Sequence, residues 1–198
     1  MKFSVTAVFA IAGLAAAAPQ RPSYPAQAPP AAPVPTTNPY GYNPGSTPYG
    51  RVTCLTDATA KTLVTGFASL LTSYSDAVAD KLLSSDFTDT SDSINALAGY
   101  PLGSTTFPSK AAFKAGQGAQ PKIGFELLNI DDVTCTGVAF RWSGTPNLGN
   151  PSIKVKGINS LVASNLNGTD QGWQIKSMYS EFNSCTWMQA VGGKCGFS

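Results

Sequence analysis

The chain contains no histidine. That removes His-based metal sites, Ser-His-Asp and Cys-His nucleophile systems, and the one side chain that titrates unperturbed near neutrality. Any acid–base chemistry therefore falls to carboxylates. Two stretches offer them. In Trp173-Gln174-Ile175-Lys176-Ser177-Met178-Tyr179-Ser180-Glu181, strand alternation puts Ser177, Tyr179 and Glu181 on one face with Trp173 and Ile175. Turned inward, that face makes Glu181 a carboxylate among apolar groups, where desolvation raises its pKa. The opposite face carries Met178 and Phe182, so parity leaves the orientation open. The second stretch is Asp86-Phe87-Thr88-Asp89-Thr90-Ser91-Asp92-Ser93. It reads as a helix-terminating loop whose side chains cap backbone groups. An Asp of this run that projected under the first helix would be desolvated, and Asp89 and Asp92 are the bases it offers.

The four cysteines speak to compartment. An even count in an exported chain reads as disulfides, with three connectivities open. Cys185 and Cys195 are close, with Gly192-Gly193 between them to let the chain turn back, which leaves Cys54 with Cys135. No CxxC knuckle is present, so no metal site is expected. Asn167-Gly168-Thr169 is an N-glycosylation sequon in an expected hairpin turn.

The elements that must position these groups follow from periodicity. Four runs between Lys122 and Asn183 alternate with period two and predict consecutive antiparallel strands. They centre on Ile123–Leu128, Val138–Trp142, Ile153–Val162 and Trp173–Glu181. In the third, Ile153 and Val155 share one parity and Ile158 and Val162 the other, with Gly157 at the slip, so a β-bulge is expected there. Glu126 and Arg141 are expected to pair across the first two strands. Helical spacing comes earlier. Thr56 or Asp57 caps a helix with Leu63, Phe67, Leu70, Leu71, Tyr74 and Val78 on its apolar side. Ser75-Asp76 starts a second helix facing inward through Val78, Leu82 and Leu83. Short helices follow at Ile94–Ala98 and Lys110–Ala115, the latter stopped by Gly116-Gln117-Gly118. Helices first and strands after predict an α+β fold, with helices laid in the concavity of a bent antiparallel sheet to form a cone with an internal pocket.

Three segments are expected. Residues 1–18 read as a signal peptide, with Lys2, an apolar core from Val5 to Leu14 too short to span a bilayer, and Ala15–Ala18 for cleavage. Residues 19–50 hold ten of the fifteen prolines, four tyrosines and one charge, and predict a Pro/Tyr-rich disordered linker. Residues 51–198 form the folded domain, long enough for one core. Charged residues are 12% of the chain and the net charge is +2, with no basic run, so nucleic acid is not an expected partner. No membrane contact is expected after signal cleavage, and the expected location is extracellular or in the cell wall.

Six segments carry a resemblance: Cys54-Leu55-Thr56, Phe67-Ala68-Ser69-Leu70-Leu71, Asp86-Phe87-Thr88-Asp89, Phe107-Pro108-Ser109-Lys110, Phe140-Arg141-Trp142 and Gly172-Trp173-Gln174-Ile175-Lys176. Over Cys54 to Trp187 the chain resembles small secreted proteins of filamentous fungi with a nuclear transport factor 2-like domain. The wider superfamily includes scytalone dehydratase, ketosteroid isomerase, SnoaL-like cyclases and members without catalysis. The resemblance implies a helix-covered curved sheet around an apolar cavity, for which Phe67, Tyr74, Trp142, Trp173 and Tyr179 are the expected lining. A scytalone-dehydratase-like site needs histidines that this chain lacks. A ketosteroid-isomerase-like site implies a carboxylate base just after the second helix, where Asp89 and Asp92 fall, and an oxyanion donor from Tyr74, Tyr100 or Tyr179. Fold does not fix function. The leading expectation is a secreted module that binds a small apolar or aromatic molecule without catalysis and without a cofactor. The alternatives are a lyase or isomerase using a carboxylate and a tyrosine, and an interaction protein of the cell surface or host interface. The open sheet face is the expected contact for a homodimer.

Overall fold

The computed structural model describes residues 54–146 and 149–195. The expected signal peptide and linker lie outside the described residues. The elements are α1 (Asp57–Thr72), α2 (Asp76–Leu82), β1 (Leu83–Thr90), α3 (Asp92–Ala98), α4 (Lys110–Ala119), β2 (Ile123–Val133), β3 (Gly137–Pro146), β4 (Val155–Asn165), β5 (Trp173–Phe182) and α5 (Ser184–Ala190).

Helix α1 starts where Thr56 accepts a hydrogen bond from the Thr59 amide at 3.2 Å, which satisfies one orphan donor of the first turn. It buries Leu63, Val64, Phe67 and Leu70 along one stripe. Val78 of α2 is exposed and Ala79 is the buried residue, a correction to the expected apolar side. Helix α4 runs through Gly116-Gln117-Gly118 to Ala119 instead of stopping there. The reason is packing: a Cβ at Gly116 would meet the Phe107 ring. The glycine permits that close approach and does not end the helix.

The five strands form one sheet in the order β1-β5-β4-β3-β2. The four expected strands are present as β2 to β5, paired antiparallel. Two corrections concern β1. The stretch from Asp86 is not a helix-terminating loop but the core of a strand, and Leu83 opens that strand instead of ending α2. Since β1 runs parallel to β5, the sheet is mixed and not purely antiparallel. Phe87 and Asp89 point into the core while Thr88 and Thr90 are partly exposed. Only one of those two inward residues is apolar, which hides the alternation.

The expected bulge at Gly157 is also corrected. From Val155 to Val162, β4 pairs with β3 without a slip. Its inward set is Val155, Gly157, Asn159, Leu161 and Ala163, in one unbroken period, while Ile158 is 60% exposed. Gly157 is needed because a Cβ there would collide with the Trp142 indole. The bulge lies on β5 instead: Val162 faces Ser177 and Ala163 faces Ile175, which leaves Lys176 unopposed.

The core joins α1, α4 and the inner sheet face. Phe113 is its hub, with Phe87 and Phe107 meeting it edge-on at 5.3 and 5.5 Å and Phe67 tilted at 6.3 Å. A second aromatic row runs from Phe125, stacked on Trp142 at 5.4 Å, through Phe182 to Trp187 of α5. Disulfides join Cys54 to Cys135 and Cys185 to Cys195. The first ties the start of α1 to the β2–β3 turn, where Leu55 also donates to the Cys135 carbonyl at 3.0 Å.

Candidate functional site

The bulge on β5 decides which way Glu181 faces. Before it, Trp173 and Ile175 face the core; after it, Met178 and Ser180 do. Tyr179 and Glu181 are thereby turned outward, a correction to the expected shared face with Trp173. Tyr179 is 51% exposed. Glu181 reaches across to α3, accepting from the Asp92 amide at 2.8 Å, the Ser93 amide at 3.0 Å and the Ser93 hydroxyl. Its oxygens hold the start of that helix. Asp92, exposed in the first turn of α3, accepts from the Gly103 amide at 2.6 Å and so fastens the following loop. Neither Asp92 nor Glu181 faces a cavity, so neither has the desolvated setting expected of a base.

Asp89 is different. It sits near the end of β1 with 3% of its surface exposed. Its backbone exchanges two 3.0 Å hydrogen bonds with Phe107. Its Oδ1 is buried and has no hydrogen-bond partner. Burial pushes the Asp89 carboxyl up to about 7, the Thr90 amide opposes this, and the Glu181 charge adds to it. At neutral pH the group is thus poised between acid and base, the property a general base requires. Among the described residues no tyrosine hydroxyl answers it. Tyr74 donates to Asp76 at 2.6 Å, which together with burial raises its pKa, and Tyr179 and Tyr100 are exposed.

A polar row that sequence reasoning missed crosses the inner sheet face beside Asp89. Asp89 lies opposite Met178 on β5, and Ser180 of the same face lies opposite Asn159 on β4. Asn159 is 2% exposed. Its Oδ1 accepts from Trp142 Nε1 at 2.6 Å, and its Nδ2 donates to Ser180 Oγ at 2.6 Å and to Met178 Sδ at 3.4 Å. Asn159 shares parity with Val155 and Leu161, and this was the signal that could have placed it inside.

Of the expected pocket residues three lie in the core, Tyr74 is partly buried against it, and Tyr179 is exposed. Phe67, Trp142 and Trp173 are packed at 2%, 4% and 6% exposure, and Trp173 Nε1 is buried without a partner. Two concavities lie elsewhere among the described residues. One, of about 100 Å³, sits between β2 and β3 around Phe125 and Lys154. The other, of about 450 Å³, is an open groove between α1 and β2 floored by Ile130 and flanked by Asp57, Lys61 and Asp132. Arg141 pairs with Asp131 at 2.7 Å and not with Glu126, which meets Lys154 at 3.5 Å. The β2 register, shifted between Leu127 and Asn129, sets Arg141 against Asn129 and Glu126 against Ser143. Asn167 is exposed in the β4–β5 turn, beside Gly168 at φ 63°. Among the described residues no group of acids and cysteines is placed to hold a metal ion, and no helix is long and apolar enough to cross a membrane.

Comparison with known proteins agrees with this architecture. A candidate polyketide cyclase from Bacillus cereus superposes with a TM-score of 0.51 at 16% identity, covering 71% of this chain and 87% of its own. A loop-truncation variant of IdmH gives 0.50 at 15% identity, covering 67% and 99%. Nuclear transport factor 2 from Cryptosporidium parvum gives 0.48 at 12% identity, covering 64% and 94%. These likenesses concern the fold. No curated protein matches the sequence. The NTF2-like domain family matches residues 53–194, and the chain belongs to that family.

Proposed function

We propose that this NTF2-like domain takes a small, neutral, largely apolar molecule into its cone, with Asp89 as the polar anchor. The observation that carries the reading is the buried, unpartnered Asp89 Oδ1. An acceptor left unsatisfied in a core costs about 1–3 kcal/mol, and a donor on a ligand recovers it. Phe107 is half-buried and its backbone pairs with Asp89. Two disulfides and the reading of residues 1–18 support an exported protein, with Asn167 open to glycosylation. The outer sheet face, with Ile158 and Tyr179 exposed, supports a contact with a second copy.

The test is mass spectrometry of small molecules released from the exported full chain and from Asp89→Leu. A compound carried by the wild type and lost from the variant supports the reading. Equal recovery from both, or none from either, counts against it.

A second reading, proton transfer by a carboxylate, is favoured by the Asp89 pKa near 7. In it Asp89 alone is the base. The similarity to a candidate polyketide cyclase is in keeping with such chemistry.

A further inference from the structure

The groove between α1 and β2 carries an unbalanced charge over an apolar floor. It measures about 450 Å³ and is lined by Asp57 and Lys61 of α1 and by Ile130, Asp131, Asp132 and Val133 of β2. Ile130 and Val133 are half-buried and rest on the core, whereas the three acids and the lysine are exposed. Asp131 is taken up by Arg141 at 2.7 Å. Among the described residues, Asp57, Asp132 and Lys61 meet no ion partner within 4.0 Å. Two acids against one lysine leave one negative charge over.

The stretch preceding Cys54 carries the opposite sign. Residues 1–53 hold three cations, Lys2, Arg21 and Arg51, and no acid, so that the rest of the chain has a net charge of −1. The stretch ends in Tyr49-Gly50-Arg51-Val52-Thr53, which lies outside the described residues and leads into Cys54. Val52 is its only aliphatic residue after Val34. Cys54 is bridged to Cys135, with the two Cα atoms 3.9 Å apart. Asp57 lies three residues after Cys54, Asp132 three before Cys135, and Arg51 three before Cys54. Three residues span at most about 10 Å. The bridge therefore pins one cation and the two uncompensated acids around a single point, at the end of the groove.

We propose that residues 49–53 dock into this groove of their own chain, with the Arg51 guanidinium between the Asp57 and Asp132 carboxylates and Val52 on the floor of Ile130 and Val133. The groove is then an anchor for the root of the proline-rich stretch, at the point where it joins the domain. Arg51 supplies the one positive charge that the groove lacks, and Val52 the one aliphatic side chain that its floor accepts. The short tether favours the chain's own segment over that of a second copy, because it gives an effective concentration in the millimolar range. The anchor is independent of Asp89 and of any ligand in the cone.

Trypsin cleaves after arginine and so reads the docking at the Arg51–Val52 bond; Arg21 precedes Pro22 and is not cut. The rate of that cleavage is measured in the full disulfide-bonded chain and in a synthetic peptide of residues 44–53. The expected rate in the chain is roughly tenfold below that in the peptide, from one partly buried valine and one exposed ion pair. Replacing both acids, Asp57→Asn with Asp132→Asn, speeds the cleavage several-fold, since it removes the charges that Arg51 meets. Lys61→Gln slows it further, since it removes the competing cation. All three positions are exposed, so the variants keep the fold, which an unchanged melting temperature confirms. Cleavage as fast as in the peptide overturns the proposal. Slow cleavage that neither substitution changes also overturns it, and assigns the protection to shielding by the nearby disulfide. Protection that grows with protein concentration overturns it in favour of exchange of the segment between two copies.

Discussion

The ends of β1 and β5 place two carboxylates in one neighbourhood with opposite fates. Asp89 is buried with an oxygen that meets no donor, whereas Glu181 faces outward with three donors on its oxygens. For Glu181 the outcome turns on a single unopposed residue, Lys176, which reverses the parity of everything after it on β5. The comparison teaches that hydrogen-bond satisfaction and function pull apart here. Glu181 is held where a structural acceptor should be, and Asp89 where only a ligand or a proton completes it.

Four measurements break or sharpen that contrast. The largest effect belongs to Asp89. Its folded pKa of about 7 lies above its ordinary value of 3.8, so the folded state holds a proton that the unfolded state gives up between those values. The unfolded state binds fewer protons in that window, and stability falls as pH rises through it. The loss is on the order of 4 kcal/mol from pH about 4 to about 7. Urea unfolding of wild type and Asp89→Asn at those two pH values checks this; the variant should lack most of the decline. Next comes Glu181→Ala, which strips the α3 start of three partners and should cost about 2 kcal/mol in the same assay. Asp92→Ala releases only the Gly103 amide and should cost about 1 kcal/mol, with faster hydrogen exchange at Gly103. Tyr179→Ser should stay within about 0.5 kcal/mol in a monomer, as an exposed outward residue does. A larger drop that grew with protein concentration would reveal a contact with a second copy.

The strands β2 to β5 were legible because each carries apolar residues two apart, as Val138, Phe140 and Trp142 do. Strand β1 was not: among its buried positions Ser84 is a hydroxyl and Asp89 an acid, which composition assigns to a loop. The bulge was misplaced for a related reason. Gly157 and Asn159 occupy inward slots of β4, one to admit the Trp142 ring and one to bind its N–H, so a regular strand looked slipped. On β5 the true slip was visible as the change from Trp173 and Ile175 to Met178 and Phe182, but it was read as two apolar faces. Asp89 was nominated by its place after the second helix, and Asn159 and Ser180 went unnoticed, since buried polar residues leave no trace in a hydrophobic pattern. The disulfide pairing followed from spacing and from the glycines near Cys195.

The account rests on Asp89 being a buried carboxyl that titrates near neutrality. The most direct measurement is the carbon-13 shift of Asp89 Cγ followed against pH in the full chain. The account predicts a midpoint near 7. A midpoint at or below the ordinary carboxylate value of about 4 would show a solvated or paired group, and would contradict the site proposed here.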